Sequence, residues 1–543
     1  MVETAHLFVL VHGLWGGAGH LKAVEDIITK SIVDSDEKIL IIRPKTSGLV
    51  KTYDGVEIIG QRMLIEILNE INRLYESPSE NNEELQQEPI MVKKISFLGY
   101  SLGGIVSRYI IGEFERLGLF KTIKPMYFTS IASPHVGVWF YKQKVMNILG
   151  SNVLGLIGKE LLITDKRQFL VKLSEGDYLK GLKKFEKRFL FANVRHDRSV
   201  SYYTAYITDS NPFDEHWDKL KISYEHKDLN DNEDLLSTYE IKNIKHIKPS
   251  IINIAKTDFK SLDELKKDSK ISIVKTLKFT GIILAFSMIL PMWIPVVLTA
   301  TAIGTGISYV IVKTFKRPDE SELKKLVSHL TQEVIEENIS HNAAPHGDDE
   351  DDEHRDEVEI IEEEFEDELK ESNGNLGLRE RVEEATETFL ETAINISQYE
   401  TKQDNKLDIS DEDDDDESLS VKKNSSNPPS PQIFSEKPNI KIIKDKTKKL
   451  FENLSNFKNP SVNQFKIFNQ TSKLPLDHNR KTILQNLNSL DWYKFAVCID
   501  VINAHDNIIC RKGLQRSNPK GISNILMWAQ LINEDIKENK KRR

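Results

Sequence analysis

Only two cysteines, Cys498 and Cys510, occur in 543 residues. Two thiols cannot build a disulfide scaffold, and they lack metal-ligand spacing. Such sparing use fits a reducing compartment that faces the cytosol. No basic patch interleaved with aromatics is present, which argues against a nucleic-acid partner. No G-x-x-x-x-G-K-[ST] run occurs, which excludes a P-loop, and no cofactor or metal is expected. A secretory leader is not expected either. Met1 to Ala5 is short, lacks the charged n-region, and runs straight into an apolar strand. The sequons at Asn338, Asn395, Asn453 and Asn469 therefore read as chance matches.

The net charge of −10 is unevenly spread. Acids gather between Asp348 and Glu366, and Asp411 to Glu417 are seven consecutive carboxylates. Such blocks repel themselves and stay solvated, so residues 341–446 read as a disordered acidic linker whose protein partners are left open.

Against these absences stands one dense motif, Gly99-Tyr100-Ser101-Leu102-Gly103. It follows the apolar run Ile95–Leu98 and precedes Gly104–Leu117, which has helical character. Strand, tight turn with glycines two residues either side of a serine, then helix is the pattern of a nucleophile elbow. A second motif, His12-Gly13-Leu14-Trp15-Gly16-Gly17, directly follows the strand Leu7–Val11. An H-G loop in that place supplies one oxyanion-hole amide, and the residue after the nucleophile supplies the other. The donors expected here are the backbone N–H groups of Leu14 and Leu102, aimed at charge developing on a tetrahedral intermediate.

Residues 6 to about 210 alternate apolar strands with helical patterns, as a mostly parallel sheet with helices on both faces requires, and residues 1–260 are expected to form the N-terminal part of this core. Strands are expected at His6–Val11, Lys38–Arg43, Lys94–Leu98, Pro125–Ile131 and Arg188–Val194. Helices fit His20–Ile32, Val56–Tyr75, Gly104–Leu117 and Lys142–Gly158, and the polar stretch Ser77–Glu88 reads as a loop. The expected fold class is α/β, interrupted by a membrane hairpin and the acidic insertion.

The hairpin expectation rests on Phe279 to Val312, 34 residues without a charged side chain. Pro291 and Pro295 divide it into arms too short to cross a hydrocarbon core about 30 Å thick. Basic residues flank both ends (Lys275 and Lys278, then Lys313, Lys316 and Arg317), which favours keeping both ends on the cytosolic side. A hairpin dipping into one leaflet or into a phospholipid monolayer is preferred over a single tilted span. Residues 270–340 thus form a membrane-associated unit that includes an amphipathic helix, Glu320–Asn338. Residues 474–543 complete the hydrolase core with a strand through Asp491–Ile499 and a terminal helix, Ile522–Lys537.

A serine hydroxyl needs a histidine base, and that base needs an acid to orient it. In this fold the chain order is serine, acid, histidine, each after a strand. Asp197 lies in a turn just past the strand Arg188–Val194, with Asp209 and Asp214 as runners-up. His341, His346 and His354 fall in the acidic linker, while His216, His226, His246, His329 and His478 lack a preceding core strand. His505, shortly after the last strand, is the expected base, with His246 the fallback.

V-H-G-L-W-G, F-L-G-Y-S-L-G-G, the Ala132-Ser133-Pro134-His135 segment and A-H-D-N-I-I together resemble the fungal serine-esterase lipases of the α/β-hydrolase superfamily, which include lipid-droplet phospholipases. The resemblance covers roughly residues 5–210 and 474–513. It implies hydrolysis of lipid carboxylic esters, with Ser101, Asp197 and His505 as the triad, and makes His135 a structural landmark. The chain departs from the pattern by about 300 residues between Asp197 and His505.

The expected function is a serine lipase acting on glycerolipids, phospholipids first and monoacylglycerols second. It would work at a lipid droplet or the cytosolic face of the endoplasmic reticulum, held there by residues 279–312. The apolar segment Val136–Ile163 reads as a lid or acyl pocket, or equally as a plain core helix. A membrane-associated thioesterase or protein deacylase would use the same residues. A non-catalytic hydrolase-fold scaffold is the remaining alternative.

Overall fold

A computed structural model describes residues 3–75, 89–139, 151, 154–225, 248–263, 299, 302–303, 305–328, 330, 454–460, 465–501 and 503–542. The strands are β1 (Glu3–Val11), β2 (Lys38–Ile42), β3 (Ile90–Tyr100), β4 (Lys124–Ile131) and β5 (Lys187–Asn193). Two short strands, β6 (Leu220–Lys221) and β7 (Asp258–Phe259), pair with each other antiparallel, and β8 (Tyr493–Val497) comes late in the chain. Six strands form one sheet in the order β2-β1-β3-β4-β5-β8, every pair parallel.

The strands are nearly continuous apolar runs because both faces are covered, as a wholly parallel sheet demands. Side chains of a strand alternate between faces. Leu7, Val9 and Val11 pack with α2 (Val56–Tyr75) and α3 (Leu102–Leu117), whereas Phe8 and Leu10 pack on the opposite face. That second face is closed by α1 (Lys22–Ser31) and the terminal helix Pro519–Arg542. The terminal helix is longer than the apolar period suggested, because its charged end still carries helix-forming Lys and Glu. Trp528, a residue of this helix, is fully buried and donates through Nε1 to Thr129 Oγ1 at 2.9 Å.

Each strand forms where its apolar run lies, with displaced ends: β1 and β3 begin earlier, at Glu3 and Ile90, and β8 is shorter than its run. β8 matters most for the layout. It pairs with β5 in register from Phe189 opposite Tyr493 to Asn193 opposite Val497, so the C-terminal segment closes the sheet that the first 200 residues began.

Three further features differ from expectation. The helix Gly176–Lys184, packed on α3, has no counterpart in the apolar period, because Gly181 and Leu182 are its only buried residues. The expected helix Lys142–Gly158 lies largely outside the described residues, and the described helix there runs Gly155–Leu161. Of the amphipathic helix, Glu320–Ser328 is described, and its apolar stripe is turned onto the hydrolase core rather than toward lipid. Leu323 and Val327 are buried there, Asn72 Nδ2 donates to Leu326 O at 3.3 Å, and Arg116 pairs with Glu320 at 3.1 Å.

Most of the uncharged run 279–312, the acidic stretch 341–446, the loop Ser77–Glu88 and His246 lie outside the described residues. Among the described residues no helix is long and apolar enough to cross a membrane.

Candidate active site

The order of the strands itself points to one place. Moving along the sequence, the sheet grows from β1 outward to β2, then returns to add β3 on β1's other side. In open α/β sheets such a reversal leaves a crevice beyond the carboxyl ends of the two strands concerned. The loop 12–17 leaves β1 there, and Ser101 leaves β3 there.

Ser101 sits at φ 55°, ψ −126°, a strained backbone for a non-glycine residue. The strain is held by its surroundings: Ser101 N–H donates to Ile131 O at 3.0 Å, and Gly104 N–H donates back to Ser101 O at 3.1 Å. The flanking glycines are obligatory for a steric reason. A Cβ on Gly103 would stand 2.1 Å from Val11 O, and one on Gly99 would stand 2.4 Å from Gly104 Cα. Neither backbone atom can move aside as a flexible side chain could.

The H-G loop runs directly past this serine, since a Cβ on Gly13 would lie 2.8 Å from Ser101 Cβ. Its shape is fixed by His12, whose buried Nδ1–H donates to Gly13 O at 3.0 Å, and by Trp15, whose N–H donates to Thr52 Oγ1 at 3.1 Å. Burial holds the His12 imidazole below its ordinary pKa, and hence neutral. Among the described residues neither the Leu14 nor the Leu102 amide donates to a protein acceptor. Leu102 opens α3, where the first N–H groups have no intrahelical partner.

Three side chains meet at this crevice in one hydrogen-bonded chain. His505 Nε2 is 2.9 Å from Ser101 Oγ, and His505 Nδ1 is 2.8 Å from Asp197 Oδ2. The Asp197 side chain is only 2% exposed and that of His505 9%. Asp197 Oδ1 also accepts from Val200 N–H at 2.8 Å, so both carboxylate oxygens are occupied. With Nδ1–H bonded to the carboxylate, Nε2 is left as the acceptor facing the serine hydroxyl. A serine, imidazole and carboxylate at these separations can move a proton from the hydroxyl to the ring while the acid stabilises the resulting positive charge.

The other candidates lie elsewhere. Asp209 pairs with Lys473 at 2.8 Å, and the Asp214 amide is capped by Asn211 Oδ1 at 3.2 Å. His216 bonds Gln470 O at 3.0 Å, and His478 begins a helix. His135 is wholly buried, 2.7 Å from Ser130 Oγ, consistent with a structural landmark. Burial and the nearby Arg108 hold its imidazole neutral.

Asn193 went unnoticed in the sequence. It ends β5, and its Oδ1 accepts from Ile499 N–H at 2.8 Å, while Val194 N–H donates to Val497 O at 2.8 Å. These two bonds fasten the loop bearing Asp197 to the loop bearing His505. The only available signal was position, a polar residue at the carboxyl end of an apolar strand.

The parallel sheet, the strained serine between strand and helix, and the order of the loops around it give the chain the architecture of an α/β-hydrolase fold. Residues 1–210 match the family described as "Putative serine esterase (DUF676)". Three curated yeast relatives carry the name lipase. "Putative lipase YDL109C" of Saccharomyces cerevisiae is 26% identical over 38% of this chain and 30% of its own. "Putative lipase ROG1" of the same organism is 27% identical over 40% and 31%, and "Putative lipase C4A8.10" of Schizosaccharomyces pombe 26% identical over 37% and 26%. The matched region thus spans about a third or less of these relatives' length. A solved carboxyl esterase of Tuber melanosporum shares 17% identity over 34% of this chain and 58% of its own, with a TM-score of 0.21, too low to carry an argument.

Proposed function

We propose that this chain is a serine lipase that hydrolyses carboxylic esters of glycerolipids through Ser101, His505 and Asp197. The observation that carries the proposal is the unbroken chain Asp197–His505–Ser101, with links of 2.8 and 2.9 Å. His505 Nε2 takes the hydroxyl proton as Ser101 Oγ attacks the ester carbonyl. The tetrahedral oxyanion is received by the amides of Leu14 and Leu102. Collapse expels the alcohol, which leaves with the proton held on His505, and an acyl-serine remains. Water then attacks that ester, giving its proton to His505, and the fatty acid departs as the proton returns to Ser101.

The names of the yeast relatives support a lipid ester as substrate, and the expected phospholipid and monoacylglycerol substrates keep that order. Action at a membrane or lipid-droplet surface is supported by the end of the uncharged run. Ile303, Ile307, Tyr309 and Val310 are 47–68% exposed, and exposed Lys313 and Lys316 lie just beyond. Apolar side chains next to basic ones suit the boundary between acyl chains and phosphate headgroups. A tether of this kind raises the local concentration of an insoluble substrate. The cytosolic face of the endoplasmic reticulum and the lipid droplet are the proposed locations.

Purified wild-type protein and Ser101→Ala are compared on a short p-nitrophenyl ester and on phospholipid and monoacylglycerol dispersions. Loss of all three hydrolyses in the variant is expected; retained activity on the short ester overturns the assignment. Products released from the dispersions decide the substrate class.

A further inference from the structure

The residue between the elbow glycine and the nucleophile contacts the base on two sides. Tyr100 OH donates to the backbone carbonyl of His505 at 3.0 Å, and the Tyr100 ring lies against the His505 imidazole with centroids 5.0 Å apart. Tyr100 is 2% exposed and anchored at the end of β3, paired with Ile131 of β4. The next residue after the base joins the same set. Asp506 Oδ1 lies 3.4 Å from Tyr100 OH and accepts from Arg511 Nη1 at 3.0 Å. Arg511 Nη2 in turn reaches His20 Nε2 at 3.3 Å. Burial and the Arg511 charge hold the His20 imidazole down at about 3, so its ring is neutral, with one acceptor nitrogen that faces either Arg511 Nη2 or, at Nδ1, the Gly17 N–H at 3.3 Å.

We infer that Tyr100 is a positioning residue for the base, and that Asp506 and Arg511 carry the same restraint from the His505 loop to the turn beside the H-G loop. The inference rests on the reading of Ser101 and His505 as nucleophile and base. Its physical content is geometric. His505 sits on a single helical turn, Ala504–Asn507, with too few intrahelical bonds to fix its own ring. β5, β8 and Asp197 constrain the imidazole from one side. Tyr100 constrains it from the other, and does so from the residue covalently joined to the nucleophile. The serine and its base are thus referenced to one rigid strand end. A loss of that reference leaves substrate binding intact and misplaces the proton acceptor, and displacements near 1 Å cost on the order of 100-fold in rate.

The test uses the full-length protein with Tyr100→Phe, which keeps the ring and removes the hydroxyl, together with Asp506→Asn and the double variant. On a short p-nitrophenyl ester Tyr100→Phe lowers kcat roughly 10-fold or more, with KM within twofold. The second-order rate of fluorophosphonate labelling at Ser101 falls in parallel. Asp506→Asn gives a smaller loss, and the double variant loses less than the product of the two, as members of one network should. A Tyr100→Phe kcat within twofold of wild type overturns the inference, as does a raised KM at unchanged kcat or strictly multiplicative losses. If Tyr100→Phe fails to fold, Asp506→Asn decides alone: an unchanged kcat overturns, a lowered kcat at constant KM supports. Ser101→Ala is run alongside. Labelling or turnover surviving in Ser101→Ala sinks the triad reading itself, whereas a dead Ser101→Ala beside a wild-type-like Tyr100→Phe sinks only the positioning role.

Discussion

His505 Nε2 and Ser101 Oγ stand 2.9 Å apart although 404 positions separate them in the chain. Asp197 completes the chain from a third loop, and its place can be tested against the runner-up acid. Asp197→Asn keeps the shape of the site but takes the negative charge from Nδ1–H. We expect kcat on a soluble ester to fall by roughly 10⁴-fold, as loss of the orienting acid does in such triads. Asp209→Asn, whose partner is Lys473, leaves kcat unchanged. Steady-state rates of the two variants measured side by side check both outcomes.

The elbow tolerates no side chain at Gly103. Gly103→Ala places a methyl 2.1 Å from a carbonyl of the adjoining strand, so the turn must open or the protein must unfold. Soluble expression and the thermal midpoint should both drop, with activity lost. Gly17, in the neighbouring loop, has open space around it and an extended backbone, so Gly17→Ala serves as the matched control with an unchanged midpoint.

Asn193 fastens the loop bearing Asp197 to the loop bearing His505. Asn193→Ala leaves the buried Ile499 N–H without its acceptor, which costs about 1–3 kcal/mol. Chemical denaturation reads that loss. Because the two loops are then free to separate, kcat should fall further than the stability change alone accounts for, with KM little altered.

Burial raises the Glu160 carboxyl from 4.5 to about 8, against the opposing help of the Val56 amide at 2.7 Å and of Arg167. A carboxyl whose folded pKa is raised binds protons more tightly in the folded state. Its contribution to stability is therefore full below about 4.5 and is lost as pH rises through 8. Gln at this position cannot ionise and keeps an oxygen for the Val56 amide. The difference in midpoint, Glu160→Gln minus wild type, should grow between pH 5 and pH 9. A difference that is flat across that range counts against a buried, proton-holding Glu160.

The exposed apolar side chains near residue 307 are separable from the catalytic crevice. Ile307→Glu with Val310→Glu should reduce flotation with phospholipid vesicles severalfold and leave hydrolysis of a soluble ester within twofold of wild type. Undiminished flotation would show that this face does not touch lipid. Ser308, on the same helix, is buried, and Arg317 beyond it pairs with Glu57 at the start of α2 at 3.0 Å. Ser308 and Arg317 are left unchanged in the test for that reason.

Much of this architecture was legible in the sequence because a parallel sheet writes itself as short apolar runs between helical periods. Val56–Tyr75 appears with the bounds its pattern indicated, and Ser101 is marked by glycines that sterics require. The Ser101, Asp197 and His505 side chains are brought together as the order of strands and loops suggested. Tyr100 and Asn193 were not legible in those roles, since each acts through a partner more than 300 positions away. Pattern within a window carries no record of such a contact. The helix Gly176–Lys184 escaped for a different reason, its lysine-rich surface leaving too few apolar positions to set a period.

Among the described strands, β8, which leads to His505, comes latest in the chain. During synthesis β1 to β5 emerge first, with Ser101 at the end of β3 and Asp197 just after β5. The edge of β5 then waits, unpaired, until β8 emerges roughly 300 residues later. A nascent or prematurely terminated chain therefore displays a serine with no base to activate it. With the proposed triad, hydrolysis can begin only once β8 has joined β5. The waiting strand edge is also an open template for a second chain, so chaperone demand should peak while residues 264–453 are being synthesised.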